Sequence, residues 1–407
     1  MSHPHPPFGE RWDLPSGEPR RMVVVGGGPA GHRAALELRK LRFSGSVTMV
    51  SAEEFPPYDR TLVSKCNLTD PEATIGSMSK PGRYDELGID LQLGRQVIGI
   101  DAANRHLELA GGGQVGYDRL IVAVGGRPVL PRALAAPGVL TVQTFADVAG
   151  VRDVLERSRH MVVIGGEIAA AATEFGCGVT LVEVSEAPLQ LVVGKEVGDR
   201  IAALHLERGV EIRCGVWAEK VADFGSWYEI ELSDGSRLSC DSVIVAVGMQ
   251  PSVEWLMPSG IKVDRAIITD SACRTSLPGV LAAGDCAQWW SRRRGTYCHV
   301  EHWDSANKHG AVAARAALGL DAVFDPIPFF WSDQYDVKYQ WAGYAGKYDA
   351  VEISGSGSHD FVARYLDGDR MVGASVANRP RDFAQLCQEL RGSVQSSGTD
   401  DEEVFSQ

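Results

Sequence analysis

Apolar and polar positions alternate along this chain in a regular rhythm. Short apolar runs at residues 22–25, 47–50, 120–124, 161–164, 179–183 and 242–247 predict buried parallel strands. Segments 34–41, 167–175 and 196–208 carry helical patterning between them. Strands alternating with helices indicate an α/β protein with parallel sheets. Further strands are expected at 90–93, 96–101 and 106–109, with Gly111-Gly112-Gly113 as a break, and at 210–213 and 227–232, followed by the turn Asp234-Gly235. From Phe324 the pattern changes to alternating strands around 335–344, 361–365 and 371–376 and then a final helix, which reads as a small α+β domain.

Two of the strands end in glycine. Met22-Val23-Val24-Val25 runs into Gly26-Gly27-Gly28-Pro29-Ala30-Gly31, a full Gly-x-Gly-x-x-Gly. In such a turn Gly26 permits the bend, Gly28 lets a pyrophosphate approach the backbone, and Gly31 lets the helix pack on the strand. Free N–H groups at the helix start then face the phosphates. An acid should follow the second strand to hold a ribose hydroxyl. In Ser51-Ala52-Glu53-Glu54 the candidate is Glu53, although Ala52 stands where that acid is first sought.

The second beginning is damaged. Met161-Val162-Val163-Ile164 runs into Gly165-Gly166-Glu167-Ile168-Ala169, without the two later glycines. Roughly five residues are missing against the fingerprint. What remains only just exceeds the ~10–12 residues that a strand–helix–strand crossover needs. The unit is expected to fold with a truncated helix and no glycine-lined cradle. Glu183 ends the next strand, and a carboxylate there prefers a free 2′-hydroxyl, hence NADH over NADPH. Gly248-x-x-Pro251 echoes Gly125-Gly126-Arg127-Pro128, so the two units read as related domains, one for a flavin and one for a nicotinamide.

Composition narrows the picture further. Of 407 residues, 44% are hydrophobic and 23% charged, ordinary for a globular chain. No apolar run reaches the ~18 residues of a membrane span, and residues 1–20 lack the apolar region of a signal peptide. Residues 1–20 and 393–407 read as disordered arms. A net charge of −13 argues against nucleic-acid binding. Eight cysteines without a Cys-x-x-Cys indicate neither zinc ribbon nor redox dithiol, and suit a reducing cytoplasm. Cys298-His299-x-Glu301-His302 lacks a second ligand pair, so no metal is expected. The run 277–287 predicts a buried strand ending in Gly284-Asp285 at the mouth of a helix, where the Asp could accept hydrogen bonds from a polyol.

These residues resemble one family, the FAD-dependent ferredoxin reductases that serve oxygenases and cytochromes P450, over nearly all of 21–392. The carrying motifs are Gly26-x-Gly28-x-x-Gly31, Pro57-Tyr58-Asp59-Arg60-Thr61-Leu62-Val63-Ser64-Lys65, Ala123-Val124-Gly125-Gly126-Arg127-Pro128, Thr275-Ser276-x-Pro278-Gly279-x-x-Ala282-Ala283-Gly284-Asp285, Val300-Glu301-His302-Trp303 and Phe330-Trp331-Ser332-Asp333-Gln334. The resemblance implies an FAD domain (21–130 and 252–321), an NAD domain (131–251) and a C-terminal domain (322–392). It implies that Arg60 contacts FAD phosphates or adenosine, Lys65 lies near flavin N5, Val97 packs by the adenine, and Asp285 binds the ribityl chain. Glu301, His302 and Trp303 belong beside the isoalloxazine and Trp331 at its pyrimidine end, with Glu167 paired to Lys65. Lys65, Glu167 and Trp303 then form the catalytic set, and Ala123, Gly125, Arg127, Gly165, Gly166, Glu183, Gly248 and Gly284 complete the nucleotide sites.

The implied reaction carries electrons from NADH through FAD to a [2Fe–2S] ferredoxin. A basic run, Arg292-Arg293-Arg294, is a candidate docking point for an acidic ferredoxin. The protein is expected as a monomer or homodimer. Two other readings stay open: a flavin oxidase or dehydrogenase that has lost nicotinamide binding, motivated by the short second loop, and a redox-sensing interaction protein.

Overall fold

The computed structural model describes residues 19–70, 75–166, 168–343 and 348–395. They form two compact units. One holds the residues up to Pro128 with Gln143–Phe145 and Met249–Pro326, the other Val129–Val142, Ala146–Gly248 and the residues from Ile327 on.

The first unit begins with β1 (Arg21–Val25), whose residues are buried after Arg21. Helix α1 (Pro29–Lys40) follows and starts earlier than its apolar pattern suggests. Pro29 explains the early start: at the first helical position its missing N–H costs nothing and its φ is already helical. Ala30, Ala34 and Leu38, spaced by four, form the buried stripe. Arg39 ends the helix by donating to the carbonyls of Phe43, Gly45 and Leu87 at 2.7–2.8 Å. Strands β2 (Ser46–Val50), β3 (Ile89–Gln92) and β4 (Arg119–Val122) complete this stretch, with an antiparallel sheet of Val97–Asp101, His106–Leu109 and Gln114–Gly116 inserted before β4.

In the second unit β5 (His160–Ile164), α2 (Ala169–Thr173), β6 (Gly178–Glu183), α3 (Gln190–Glu207), β7 (Glu211–Cys214) and β8 (Ser242–Val245) build a parallel sheet in the order β7-β6-β5-β8. The truncated crossover does fold: Gly178 lies opposite His160 and Val182 opposite Ile164. The helix expected over 167–175 shrinks to α2, because thirteen residues bridge β5 to β6 where twenty bridge β1 to β2. Helix α3 begins six residues before the expected 196 and breaks at Gly194 (φ 78°, ψ 167°). A Cβ there would stand 2.3 Å from the Tyr348 hydroxyl, so glycine is required on both counts.

The chain then returns to the first unit. β9 (Val280–Ala282) pairs with β4 and completes a parallel sheet in the order β9-β4-β1-β2-β3. Gly284-Asp285 does not lead into a helix as expected. The chain continues as β10 (Ala287–Ser291), which pairs antiparallel with β11 (Thr296–Cys298). Trp289 and Trp290 favour a strand over a helix here, and Trp289 is buried. Arg292, Arg293 and Arg294 therefore sit on a hairpin turn and not after a helix. Helix α4 (Trp303–Ala317) packs closely on α1: a Cβ on Gly310 would lie 2.0 Å from the Ala30 carbonyl oxygen.

The end of the second unit is an antiparallel sheet of β12 (Phe329–Gln334), β13 (Val337–Gly343), β14 (Ala350–Ser356), β15 (Asp360–Asp367) and β16 (Arg370–Ala377), ordered β12-β13-β16-β15-β14, and α5 (Pro380–Gln395). Its core is not separate. Val197, Ile201 and Leu204 of α3 share one apolar cluster with Tyr339, Trp341, Phe361 and Tyr365. Phe383, Leu386 and Leu390 of α5 pack with Met371 and Val376. Among the described residues no helix is long and apolar enough to cross a membrane.

Candidate functional site

The first unit assembles an anion cradle at the β1–α1 turn. Gly26 (φ +115°) passes so near β4 that a Cβ would lie 2.1 Å from the Ala123 carbonyl oxygen. A Cβ on Gly31 would lie 2.0 Å from the Gly26 carbonyl oxygen. Gly28 is different. Its missing side chain faces space, with the Arg60 Nε at 3.6 Å the nearest atom. Pro29 and Ala30 begin α1 there, so helix-start N–H groups and a guanidinium converge beside an open glycine.

Arg60 is held from behind. Asp59 caps its short 3-10 turn by accepting from the Thr61 N–H (2.9 Å) and hydroxyl (2.7 Å). Its guanidinium pairs with Glu53, which also accepts from the Tyr58 hydroxyl at 2.6 Å. The Phe145 N–H donates to that hydroxyl at 3.0 Å. Burial pushes the Tyr58 phenol far up, so it stays a donor. Glu53, sought as a ribose ligand, thus anchors Arg60 in this structure. Tyr58 and Phe145 were not singled out from sequence, although Tyr58 stands within the Pro57–Lys65 motif.

Asp285 lies at the end of β9. Its Oδ1 is buried and has no hydrogen-bond partner, while some surface of the residue stays accessible. Burial first, then the neighbouring Glu301 charge, push its carboxyl up to about 7, and Arg60 opposes them. An orphaned buried carboxylate oxygen is costly unless a donor meets it. A polyol hydroxyl is such a donor, and the phosphates of the same ligand fit the Gly28–Arg60 cradle. The first unit therefore fits FAD.

His309 on α4 sets the turn that presents Asp285. Its Nδ1 accepts from the Gly284 N–H at 3.1 Å, and its ring stacks on Phe324 with centroids 3.9 Å apart. Gly284 (φ +79°) has no room for a Cβ, which would lie 2.9 Å from that of Ala30. Burial lowers His309 to about 3, so the ring stays neutral and Nδ1 stays an acceptor. No motif flagged His309. The neighbouring Gly310, a glycine inside a helix, was the available sign of a close approach.

Burial also lowers His32 and His205 to about 4. Below pH 6.5 the unfolded chain takes up protons that these three rings refuse, so stability falls on acidification. At pH 5 each costs on the order of 2 kcal/mol. Asp285 acts in the opposite sense, losing stability as pH rises toward 7, but one carboxyl does not offset three histidines. Thermal scans should show Tm falling from pH 7 to 5. His309→Phe should flatten that limb, and should cost about 1–3 kcal/mol by orphaning the Gly284 N–H. A variant as acid-labile as the parent would contradict the assignment.

The other expected residues are placed as follows. Lys65 is half-buried in the turn that opens the Cys66–Thr69 helix. Val97 is buried in the core. Gly125 adopts φ +63°. Arg127 makes a bidentate pair with Glu254 at 2.6 and 2.9 Å, about half exposed. Trp303 opens α4 beside a recess of about 410 Å³, with Leu62, Met78 and Asn307. Glu301 lies 3.8 Å from His299, and His302 precedes α4 as its N-cap. In the second unit Trp331 lies on β12 and stacks on Phe329 with centroids 5.7 Å apart. Glu183 accepts the Ser185 N–H at 2.8 Å, and Gly248 adopts φ +118°. Glu167 lies outside the described residues, as does the Cys66 side chain. The other seven cysteines are free thiols. No cluster of metal-ligating side chains occurs among the described residues.

The pyridine nucleotide-disulphide oxidoreductase profile matches residues 20–310, and a reductase C-terminal profile matches 329–399. The chain is 34% identical over 378 residues to a 5,5'-dehydrodivanillate O-demethylase ferredoxin reductase subunit of Sphingobium sp., covering 89% of this chain and 91% of that one. It is 32% identical to putidaredoxin reductase of Pseudomonas putida, covering 89% and 90%. The fold superposes on putidaredoxin reductase in its covalent putidaredoxin complex with a TM-score of 0.86 at 29% identity, over 92% and 93% of the two chains. Two nucleotide-binding folds, a C-terminal α+β sheet and these matches together make the chain a member of the pyridine nucleotide-disulphide oxidoreductase family, in the form that carries a reductase C-terminal domain.

Proposed function

We propose that this protein is an NADH-dependent ferredoxin reductase of an oxygenase or cytochrome P450 system, working in the cytoplasm. The observation that carries the reading is the FAD-fitting first unit, Gly28 and Arg60 for phosphate and Asp285 for the ribityl chain, in a chain whose relatives are ferredoxin reductases across their length. Bound FAD supplies the conversion of a two-electron donor into two one-electron transfers. The protein binds and orients it, and no side chain need move a proton. Lys65 would supply a positive charge to the reduced ring, and Trp303 an apolar face that excludes water from it. Glu301 and His302 flank the same ring. The test is turnover of NADH with an artificial acceptor and then with a [2Fe–2S] ferredoxin.

Docking of the ferredoxin is assigned to the exposed turn Arg292-Arg293-Arg294. Asp325 braces this turn through the Ser291 hydroxyl (2.5 Å) and the Arg293 N–H (2.7 Å), and Arg292 Nε donates to Ser271 (2.9 Å). A fixed cluster of positive charge on an acidic protein steers an acidic partner. Reversing all three charges should slow ferredoxin reduction at low salt by about tenfold or more and leave the artificial-acceptor rate unchanged. An unaltered salt dependence would reject this docking site. The five-residue helix α2 favours one other reading, an FAD oxidase or dehydrogenase without nicotinamide binding. Ordinary NADH turnover would eliminate it.

A further inference from the structure

The segment Cys298-His299-x-Glu301-His302 belongs to no metal-ligating cluster among the described residues, yet its first histidine has a defined contact. β10 starts just after Asp285, and β11 runs back beside it with Cys298 opposite Trp289. His299 follows β11, so the hairpin returns it to the turn it left. Its Nε2 lies 2.7 Å from the Asp285 carbonyl oxygen. A carbonyl only accepts, so Nε2 carries the proton and donates. The Nδ1 edge faces Glu301 Oε1 at 3.8 Å, beyond hydrogen-bond reach. With 14% of the His299 side chain exposed, water competes weakly for the bond to Asp285.

The Gly284–Asp285 turn is thus held at successive backbone groups. The Gly284 N–H donates to His309 Nδ1 at 3.1 Å, and the Gly284 carbonyl accepts from the Ala287 N–H at 3.0 Å. These two bonds fix the residue before the carboxyl. His299 fixes the peptide group after it. Asp285 needs such a brace, because a buried carboxyl oxygen without a partner gains by swinging toward water.

We propose that His299 is a positioning residue for the flavin: it locks the Asp285 peptide group and so keeps the carboxyl aimed at the ribityl chain before FAD arrives. This rests on the FAD reading of the first unit. A group ordered in advance pays less to bind, so loss of the brace shows as weaker FAD affinity. A histidine that only fills space would tolerate any side chain of similar size and polarity.

His299→Gln and His299→Asn test this with one amide at two lengths. The glutamine Nε2 reaches the place of the imidazole Nε2, whereas the asparagine Nδ2 reaches only that of Nδ1. Apoproteins are titrated with FAD in the calorimeter at pH ~8, where the Asp285 carboxyl is ionised. The glutamine variant should bind within about threefold of the parent, and the asparagine variant about tenfold more weakly, the worth of one hydrogen bond. The same exchange is then made in Asp285→Asn. A neutral acceptor makes a bond about half as strong as a carboxylate, so His299→Asn should cost about threefold there. Equal affinity of the glutamine and asparagine variants would overturn the proposal. So would a tenfold loss that is the same in both backgrounds, because it would place the effect elsewhere than Asp285. If His299→Asn does not fold, His299→Met, with the length of glutamine but no donor, replaces it with the same expected loss. A parent apoprotein that takes up no FAD would instead overturn the FAD reading, and this inference with it.

Discussion

Asp285→Leu is expected to purify as a colourless protein that takes up no FAD, whereas the parent is yellow. The carboxyl is held at the end of β9 with Oδ1 buried and unpartnered, and the enclosure raises it to about 7. Against an ordinary carboxylate, that shift is on the order of 4 kcal/mol of strain in the ionised form. Stability without the flavin is lost between pH ~4 and ~7, because the unfolded chain ionises there before the folded one does. A polyol donor meeting Oδ1 relieves the strain only in the carboxylate form. FAD affinity should therefore rise with pH and level off above about 7. Asp285→Asn keeps an acceptor without the charge, so it should bind FAD more weakly and with no pH dependence over this range. Isothermal titration of the apoprotein from pH 5.5 to 8 measures both. Equal affinity at both ends for the parent would remove Asp285 from the site.

The second large effect separates two glycines of one motif. Gly28→Ala should fold with an unchanged apoprotein Tm and lose FAD affinity by about a hundredfold. Its Cβ meets only the Arg60 Nε at an ordinary 3.6 Å, so the added methyl costs the fold nothing and stands where phosphate must approach. Gly31→Ala should lose both, because its Cβ would lie 2.0 Å from the Gly26 carbonyl oxygen, and backbone cannot give way as a long side chain can. The cost should exceed about 3 kcal/mol and appear in the apoprotein Tm. Two variants with the same phenotype would show that turn geometry and ligand approach are not separable here.

How much was legible before the structure follows from what each residue does. Strand and helix alternation came through because buried parallel strands are continuous apolar runs, and β1, β5 and β8 fall where those runs fall. The first cradle was legible because each glycine answers one local steric demand. Asp285 was singled out in the sequence as a candidate polyol acceptor, yet the element after it was misread. A small-residue turn before a helix looks like a small-residue turn before a strand, and only the pairing of Trp289 with Cys298 decides it. The Glu53–Tyr58–Arg60 chain and the His309–Gly284 bond were not legible. Both rest on side-chain hydrogen bonds that leave no periodic trace, and the second also joins residues 25 positions apart. The damage at the second turn was visible in the sequence. Its structural result is the five-residue helix α2 in place of a full crossover helix.

The proposed role of this flavoprotein is to move electrons from NADH to an iron–sulfur protein. The most direct measurement is anaerobic mixing of the FAD-loaded protein with saturating NADH, followed in the stopped flow at the flavin absorbance, with an oxidised [2Fe–2S] ferredoxin added in a second mix. NADH should bleach the flavin, and the ferredoxin should restore its colour while becoming reduced. Bleaching by dithionite but not by NADH at any concentration, or a bleached flavin that the ferredoxin leaves unchanged, would contradict it.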